Sequence, residues 1–417
     1  MTKRYAMGSY LAGAATARAG DEMSGPALLL AGFALAGSAS EASALLAGIT
    51  VSAVIGGPAL GALLDRAARP GRLLAGAVSL YAAGLAVLLL GLGRLPFAVS
   101  VLTAVLTGLL GPALSGGWSA QLPRAVSGDR LPRANALDAM TFSAASLAGP
   151  ALAGGVAEAL GASAAVAVSA ALIASAAPAA WRLPARPLTP HPLPAPGARN
   201  ASLTSARTDS VTGVLAAGIR VILGSPSLAR ATLTSIASCV AQGMFAACVP
   251  LLGAQVLGGA GRGAVLLSCT AVAALATSAA LARFPHSFAP NTLLRAGALV
   301  QAGALVQAGA LVQAVSLALA ATGGPATLVT AALVAGIAEG PQLTALFAIR
   351  HRESPEHLRG QIFTTGASLK ITGFALGAAA AGPLTAWSLP GTLSVAAGTA
   401  ALGALVLGAR RAASVDP

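Results

Sequence analysis

Long runs without a charged side chain constrain this chain more than any other feature. The 417 residues include only 25 Lys or Arg and 12 Asp or Glu. The uncharged runs between them include 42–64, 73–93, 95–123, 139–157, 159–181, 231–261 and 371–409. One crossing of a bilayer needs about 20 apolar residues. The pattern therefore predicts an all-α polytopic membrane protein whose main partner is the lipid bilayer.

The runs and their loops predict twelve membrane spans. They are 10–36, 42–64, 73–93, 97–120, 135–157, 160–181, 230–253, 262–282, 294–321, 326–348, 361–384 and 389–409. An even number of spans places both termini on one side of the membrane. Lys and Arg are concentrated in the loops on that side, so the positive-inside bias predicts that both termini are cytoplasmic.

A polar segment divides the spans into two groups of six. Trp181–Ser210 is rich in Pro, Arg, Ser and Thr, which is typical of a flexible linker. Val211–Leu223 has the apolar spacing of a helix at the membrane surface. We therefore predict an N-terminal six-helix bundle at 1–181, a cytoplasmic linker with an interfacial helix at 182–228, and a C-terminal six-helix bundle at 229–417.

Two pairs of Gly-Pro dipeptides indicate that the halves are related. Gly111-Pro112 in span 4 is 229 positions before Gly340-Pro341 in span 10, and Gly149-Pro150 in span 5 is 233 positions before Gly382-Pro383 in span 11. Two matches at nearly the same offset favour an internal duplication. The prediction is two bundles related by pseudo-two-fold symmetry.

Composition and motifs exclude several classes of function. The net charge of +13 is spread over short loops, which favours an anionic membrane face over nucleic acid as partner. All three cysteines fall inside predicted spans, with no metal-ligand or disulfide spacing. The chain has no phosphate-binding GxxxxGK[ST] loop and no GxSxG or HExxH motif. We expect no enzyme activity, no metal and no cofactor.

Residues 296–313 are three copies of AGALVQ. A six-residue repeat turns 600° on a helix, so Gln301, Gln307 and Gln313 are expected to point in three directions. The repeat is interpreted as a recent duplication of a permissive helical segment. The alternative is a substrate path lined by glutamine.

The loop between spans 2 and 3 carries a recognisable signature. Its sequence, Gly61-Ala-Leu-Leu-Asp65-Arg66-Ala-Ala-Arg69-Pro-Gly71-Arg72, resembles the loop signature of the major facilitator superfamily (MFS). The resemblance implies an MFS fold, in which Asp65 contacts the start of a C-half helix and helps to latch the cytoplasmic side shut. Gly61, Arg66, Arg69 and Arg72 complete this candidate latch. The alternative is that these charges only set the topology.

Further segments resemble the drug:proton antiporter and macrolide-exporter-like branches of that superfamily. They are residues 130–137 (RLPRANAL), the tripeptide Arg359-Gly360-Gln361, and the span 5 motif with Gly149, Pro150, Gly154 and Gly155, whose spacing differs from the antiporter signature. The resemblance implies efflux of a small hydrophobic molecule or drug, driven by the proton gradient. Span 4 lacks the intramembrane Arg that many such antiporters carry.

Two other functions stay open at this point. One is the uptake or facilitated transport of a nutrient, siderophore or metabolite. The other is a non-transporting receptor or assembly partner built on the same scaffold. The Ala-, Gly- and Arg-rich composition favours a bacterial protein, and we therefore expect it in the bacterial plasma membrane. We also expect it to be a monomer.

Charged residues inside spans are costly and are therefore functional candidates. Span 1 contains Arg18, Asp21 and Glu22, and the spacing allows both acids to lie on the face of Arg18. One Arg cannot neutralise two acids, which leads to the hypothesis that Asp21 or Glu22 binds the coupling proton. The alternative is a static ion cluster that orders span 1.

Three other charges lie within later spans. Glu339 in span 10 precedes Gly340-Pro341, where a bent helix can open toward a central cavity, and is a second proton or substrate candidate. Lys370 in span 11 is expected to pair with a carboxylate or to hold an anionic substrate. Asp138 lies about one turn into span 5, where stabilising the helix start is favoured over transport.

Aromatic residues are few, and five of them are candidates for lining a substrate cavity. They are Phe33, Trp118, Phe142, Phe245 and Phe347. Packing within the protein or against lipid is the alternative for each.

Overall fold

The computed structural model describes residues 2–36, 39–126, 128–185, 211–283, 306, 310, 312–322 and 324–409. Within these ranges the secondary structure is helical, and no strand occurs. The linker prediction falls largely on residues 186–210, which lie outside the described residues, as do Gln301 and Gln307 of the repeat.

The N-terminal half is built from long helices joined by tight turns. Its elements are α1 (Thr2–Ala36), α2 (Ala39–Val51), α3 (Ala53–Arg66), α4 (Pro70–Gly91), α5 (Phe97–Gly108), the short α6 (Leu122–Ala125), α7 (Leu131–Leu160), α8 (Ala162–Ser175) and α9 (Ala177–Trp181).

The C-terminal half continues the pattern. Its elements are α10 (Val211–Gly224), α11 (Pro226–Val256), α12 (Ala264–Arg283), α13 (Pro325–Glu353), α14 (Arg359–Trp387) and α15 (Leu389–Ala409). Residues 312–320 are also helical and belong to the predicted span 9. Every other predicted span coincides with one helix or with two consecutive helices, and the all-helical membrane architecture is confirmed. The interfacial segment is indeed a helix, α10.

Eight helical segments in the described part of the chain are long and apolar enough to cross a membrane. They are Ala44–Arg66, Pro70–Gly91, Phe97–Gly117, Gly128–Leu160, Ala162–Trp181, Pro226–Val256, Ala264–Arg283 and Pro325–Glu353. Helix α1 is long enough but carries Arg18, Asp21 and Glu22 in its middle. Large apolar side chains such as Leu80, Leu90 and Leu376 are more than 60% exposed, as expected for a surface that faces lipid.

One of the four Gly-Pro pairs interrupts its helix. After α5, residues Ala113–Gly117 form a π-helical turn directly behind Gly111-Pro112. Proline has no N–H to donate to the carbonyl four residues earlier, so the hydrogen-bond ladder is broken there. Helices α7, α13 and α14 run without interruption through Pro150, Pro341 and Pro383.

Buried apolar side chains form three cores. One lies within the N-terminal half and includes Met23, Leu85 and Ile173, and another lies within the C-terminal half and includes Met244 and Leu393. The third combines Ala120 and Ala139 from the N-terminal half with Ile349, Ile362 and Phe363 from the C-terminal half. This third core lies where α3 ends and α14 begins, and we call this end of the molecule the latch end. The two halves are packed together there.

Candidate functional site

The latch end is fastened by the carboxylate of Asp65. Asp65 is the penultimate residue of α3, and its two oxygens accept hydrogen bonds from the backbone N–H groups of Gly360, at 2.7 Å, and Gln361, at 2.8 Å. Both donors are in the first turn of α14, where N–H groups have no partner within the helix and the helix dipole favours negative charge. The predicted contact between Asp65 and a C-half helix is confirmed. Its role as a latch stays a prediction.

Glycines let the two helices approach each other closely. A Cβ atom at Gly61 would collide with the Cα of Gln361 and the hydroxyl of Thr364, and one at Gly57 would collide with the hydroxyl of Ser368. The Ser368 hydroxyl also donates to the carbonyl of Ala53 at 2.6 Å. The contact between α3 and α14 therefore depends on the absence of side chains along one face of α3.

The basic residues of the candidate latch point outward. Arg66, Arg69 and Arg72 are exposed, and none of them has a carboxylate within 4.0 Å among the described residues. The guanidinium of Arg72 lies 4.9 Å from the ring centroid of Trp181. The fastening contact is therefore made by Asp65 and Gly61, while the three arginines face the surroundings.

Arg18 is paired with Asp138 rather than with its neighbours in span 1. Its Nη1 lies 2.9 Å from Asp138 Oδ1, and the two side chains are 2% and 0% exposed. The expectation that Asp21 and Glu22 share the face of Arg18 is therefore wrong as regards direct pairing. The prediction that Asp138 stabilises the start of span 5 near the membrane surface is also wrong. Helix α1 packs along α7 and buries Asp138 completely.

Three hydroxyl groups and an aromatic ring surround this ion pair. Tyr10 donates to Asp138 Oδ1 at 3.0 Å, and Ser119 donates to Asp138 Oδ2 at 2.6 Å. Arg18 also donates to Thr141, and its guanidinium lies 3.7 Å from the ring centroid of Phe142. A buried charge pair is tolerated when its remaining donors and acceptors are satisfied, and removing one partner of such a pair costs about 3–5 kcal/mol. The geometry is that of a structural anchor between α1, α7 and the segment after α5.

Asp21 belongs to a second, smaller cluster. Its Oδ1 accepts a hydrogen bond of 3.0 Å from the hydroxyl of Tyr81 on α4, which lies 3.3 Å from the hydroxyl of Ser24. Asp21 has no cation within 4.0 Å among the described side chains. Its carboxylate is held by neutral donors and is partly exposed.

Glu22 faces the other half of the molecule. Its side chain is exposed, although it lies in the middle of α1. Glu339 on α13 and Lys370 on α14 are close enough to interact with it electrostatically, while no two of the three come within 4.0 Å as an ion pair. We call Glu22, Glu339 and Lys370 the central triad. It brings Glu22 together with two charges that lie more than 300 residues later in the sequence.

The span 5 motif supports Glu22 through one residue. A Cβ at Gly149 would lie 2.5 Å from Cβ of Glu22 and 2.9 Å from the backbone nitrogen of Met23. Gly149 thus allows α7 to touch α1 at the level of the triad. Pro150 is exposed and does not interrupt the helix, and Gly154 and Gly155 have no atom within 4 Å of a Cβ built on them. The structure gives these three residues no role in close packing.

Two adjoining small cavities open beside the triad in the C-terminal half. Both are lined by Gln242 and Glu339, and one is also lined by Lys370. Their other polar lining residues are amides and hydroxyls: Ser235, Ser238, Thr270, Gln313, Ser316 and Gln342. Gln342 donates to the hydroxyl of Ser238 at 2.9 Å, so part of this lining is fixed by hydrogen bonds. Gln313 is the one glutamine of the repeat among the described residues.

The aromatic candidates are mostly elsewhere. Phe245 lines one of the cavities. Trp118 is fully buried against Gly13 and Tyr10, and Phe347 is 3% exposed between Phe142 and Phe363 at the latch end. Trp118 and Phe347 are therefore packing residues in this conformation, and their assignment to a substrate cavity stays a prediction. The side chain of Phe33 lies outside the described residues.

Several residues of the site escaped the sequence analysis. Tyr10, Ser119 and Tyr81 hold the charges of span 1, and Gln242 and Gln342 line the cavities. The two amides carried a usable signal, because a glutamine in an otherwise apolar span needs a polar partner. The hydroxyl groups of Tyr10, Ser119 and Tyr81 gave no such signal in the sequence, since serine and tyrosine are ordinary residues in membrane spans.

Comparison with known proteins identifies the fold. The family model described as the Major Facilitator Superfamily matches residues 10–309. A search of curated proteins found no match. Among solved structures, the human organic anion transporter MFSD10 (TETRAN) aligns with a TM-score of 0.73 and 16% identity, covering 98% of this chain and 100% of that one.

Two further structures show the same architecture. A bacterial homologue of the iron transporter ferroportin, in an outward-facing state, aligns with a TM-score of 0.70 and 16% identity over 98% of this chain and 99% of that one. The Escherichia coli fucose:proton symporter FucP aligns with a TM-score of 0.67 and 14% identity, again over 98% and 99%. At these identities the similarity establishes the fold and leaves the substrate open.

Proposed function

Because this chain belongs to the Major Facilitator Superfamily, we propose that it is a proton-coupled secondary transporter that works by alternating access. The observation that carries the proposal is the central triad. Charges from α1, α13 and α14 meet between the two halves, where a rocking motion would expose them to one side of the membrane and then to the other. Ionisable groups kept inside a membrane are costly and mark ion or substrate paths.

In this proposal Glu22 and Glu339 carry the proton, and Lys370 is their shared countercharge. Two carboxylates and one ammonium group leave one negative charge, which a single proton neutralises. Neutralisation favours movement through the low-dielectric middle of the membrane, because a net charge is costly there. Asp21, which is held by Tyr81, is the second place for a proton.

Opening of the latch end completes the cycle. Release of Gly360 and Gln361 from Asp65 would separate α3 from α14 and give the triad access to that side. We propose that the latch end is cytoplasmic, that both termini lie there, and that the protein acts as a monomer in the bacterial plasma membrane. The resemblance of span 5 and the loop before it to drug:proton antiporters supports export of a small organic molecule, including drug-like compounds, with the proton gradient as the energy source.

A second candidate is the transport of a polar metabolite. The amide and hydroxyl lining beside Glu339 favours it, since such groups need hydrogen-bonding partners and a purely apolar ligand leaves them without any. In either case the transported molecule is expected to carry polar groups.

The test uses the full chain in liposomes with an imposed pH gradient and a pH indicator inside. A panel of lipophilic cations, antibiotics and organic acids is added, and substrate-dependent proton movement is recorded. Glu22→Gln and Glu339→Gln are expected to abolish it, and Asp21→Asn is expected to reduce it. Glu158→Gln, at an exposed acid near the end of α7, is the matched control and should behave as wild type. Uphill transport by both carboxamide variants at the wild-type rate would refute the proton assignment.

A further inference from the structure

Arg350 is a buried cation without a counterion. It lies near the end of α13 and is 2% exposed, and its Nε and Nη2 atoms have no hydrogen-bond partner in the described part of the chain. No carboxylate comes within 4.0 Å of it among the residues described. A buried charge is normally paired, because water no longer solvates it. This guanidinium therefore lacks its partner in the conformation seen here.

The unpaired atoms have the geometry of an anion site. Nε and Nη2 form one edge of the guanidinium, and such an edge binds the two oxygens of a carboxylate with parallel hydrogen bonds. Both ring nitrogens of the neighbouring His351 and the hydroxyl of Thr365 are also buried and find no hydrogen-bond partner among the residues that the structure describes. A Cβ at Gly366 would collide with the guanidinium, so only glycine leaves it this position.

Arg350 lies one turn of α13 beyond a residue of the cavity that Lys370 lines, which we call the central cavity. Lys370 is four residues after Gly366, which places it one turn further along the same face of α14. Leu346, one turn before Arg350 on α13, lines the same cavity as Lys370. Cys239, another lining residue, is within electrostatic range of Lys370, Glu339 and Arg350. Two cations thus follow one another from the triad toward the latch end.

Aromatic rings lie beside the second cation. The Arg350 guanidinium is 5.8 Å from the ring centroid of Phe363, and the His351 ring is 4.4 Å from it. Phe347 also packs against Phe363, and the centroids of the two rings are 6.0 Å apart. These rings are packed in the third core, and they would offer apolar surface to a ligand bound at Arg350 only when the latch end opens.

We propose that Arg350 and Lys370 bind the carboxylate of the transported molecule in succession, so that the substrate is a small organic acid with an apolar body. The inference rests on the proposed transport function and adds the class of substrate. Arg350 takes the carboxylate when the latch end is open, and Lys370 holds it in the central cavity when that end is closed.

The test is the thermal unfolding of the purified full chain with benzoate, with its neutral analogue benzamide, and with chloride. Benzoate is expected to raise the Tm of the wild type, whereas benzamide and chloride leave it unchanged. Arg350→Gln should reduce the benzoate shift, because only Lys370 is left to hold the carboxylate, and Arg350→Lys, which keeps the charge but not the two-pronged geometry, should weaken the apparent affinity by about tenfold. Arg352→Gln, at an exposed arginine two residues away, should keep the full shift.

Three results would overturn the inference: no shift with benzoate in the wild type, an equal shift with benzamide or chloride, or a full benzoate shift in Arg350→Gln. If Arg350→Gln does not fold, Arg350→Lys decides, because an unchanged affinity in that variant also contradicts the two-pronged site. The proton-movement assay separates this outcome from the transport proposal. If a neutral or cationic substrate drives proton movement and benzoate has no effect, the carboxylate site is refuted and the transport proposal stands. If benzoate raises the Tm but no member of the panel is transported with protons, the proposed coupling is refuted instead.

Discussion

Two sets of charges within the membrane region differ in how completely they are satisfied. Arg18 and Asp138 are 2% and 0% exposed and are surrounded by Tyr10, Ser119 and Thr141. Glu22, Glu339 and Lys370 interact electrostatically between the halves and make no direct ion pair within the part of the chain that the structure describes. A completed network stabilises one arrangement. Charges held apart are free to exchange partners, which a transport cycle requires.

The largest expected effect is on the completed pair. Asp138→Leu leaves Arg18 buried without its counterion and is expected to lower the free energy of unfolding by about 3–5 kcal/mol. Thermal unfolding in detergent measures it. The double variant Arg18→Met/Asp138→Leu should regain most of the loss, because apolar residues of similar volume can replace a buried pair. If Asp138→Leu folds as well as wild type but no longer transports, the pair has a role in transport rather than in stability.

A smaller effect is expected where α3 meets α14. Gly61→Ala places a methyl group against Gln361 and Thr364 and should destabilise the closed latch by about 1–3 kcal/mol. The rate at which a cysteine introduced at Thr364 reacts with a water-soluble maleimide reports the opening, and it should rise. Gly154→Ala, at a site with open space around it, is the matched control. Equal reactivity in both backgrounds would mean that the two helices are not held by this contact.

Removing the charge of Asp65 tests the same contact electrostatically. Asp65→Asn keeps the shape but weakens the interaction with the α14 N-terminus, by about 0.5–2 kcal/mol. The maleimide rate should rise, and the transport rate should fall because the closed state is less populated. Arg69→Gln, at an exposed neighbour, should change neither rate. An unaltered transport rate in Asp65→Asn would reduce this loop to a determinant of topology.

The smallest effect concerns the partly satisfied Asp21. Tyr81→Phe deletes one hydrogen bond to its carboxylate and should cost about 0.5–1.5 kcal/mol of stability. Proton movement in liposomes should continue at a reduced rate. Complete loss of proton coupling in Tyr81→Phe would indicate that Asp21, and not the central triad, is the main proton site.

The helices and the latch contact were accessible from the sequence, but the pairing of charges was not. Uncharged runs of about 20 residues leave few alternatives to membrane helices, and the position of Asp65 in a known signature indicated its partner helix. Arg18 and Asp138 are 120 positions apart, and the spacing of Arg18 from Asp21 and Glu22 favoured a local pair. The tertiary packing of α1 on α7 decided otherwise.

The cavity was predictable only in part for a related reason. Glu339 and Lys370 stood out because a charge inside a span is rare, and both line the cavity. Trp118 and Phe347 were indistinguishable by residue type from Phe245, since side-chain direction depends on which helix face meets a neighbour. The boundaries of the two bundles and of the linker stay predictions.

The way Asp65 is held makes tolerance to mutation unequal on the two sides of this contact. The two hydrogen bonds to α14 come from main-chain N–H groups of residues 360 and 361, which every amino acid except proline possesses. Sequence drift on the α14 side can therefore leave both hydrogen bonds in place as long as the added side chains find room. On the α3 side both hydrogen bonds depend on one carboxylate, so a change in a single codon removes them together.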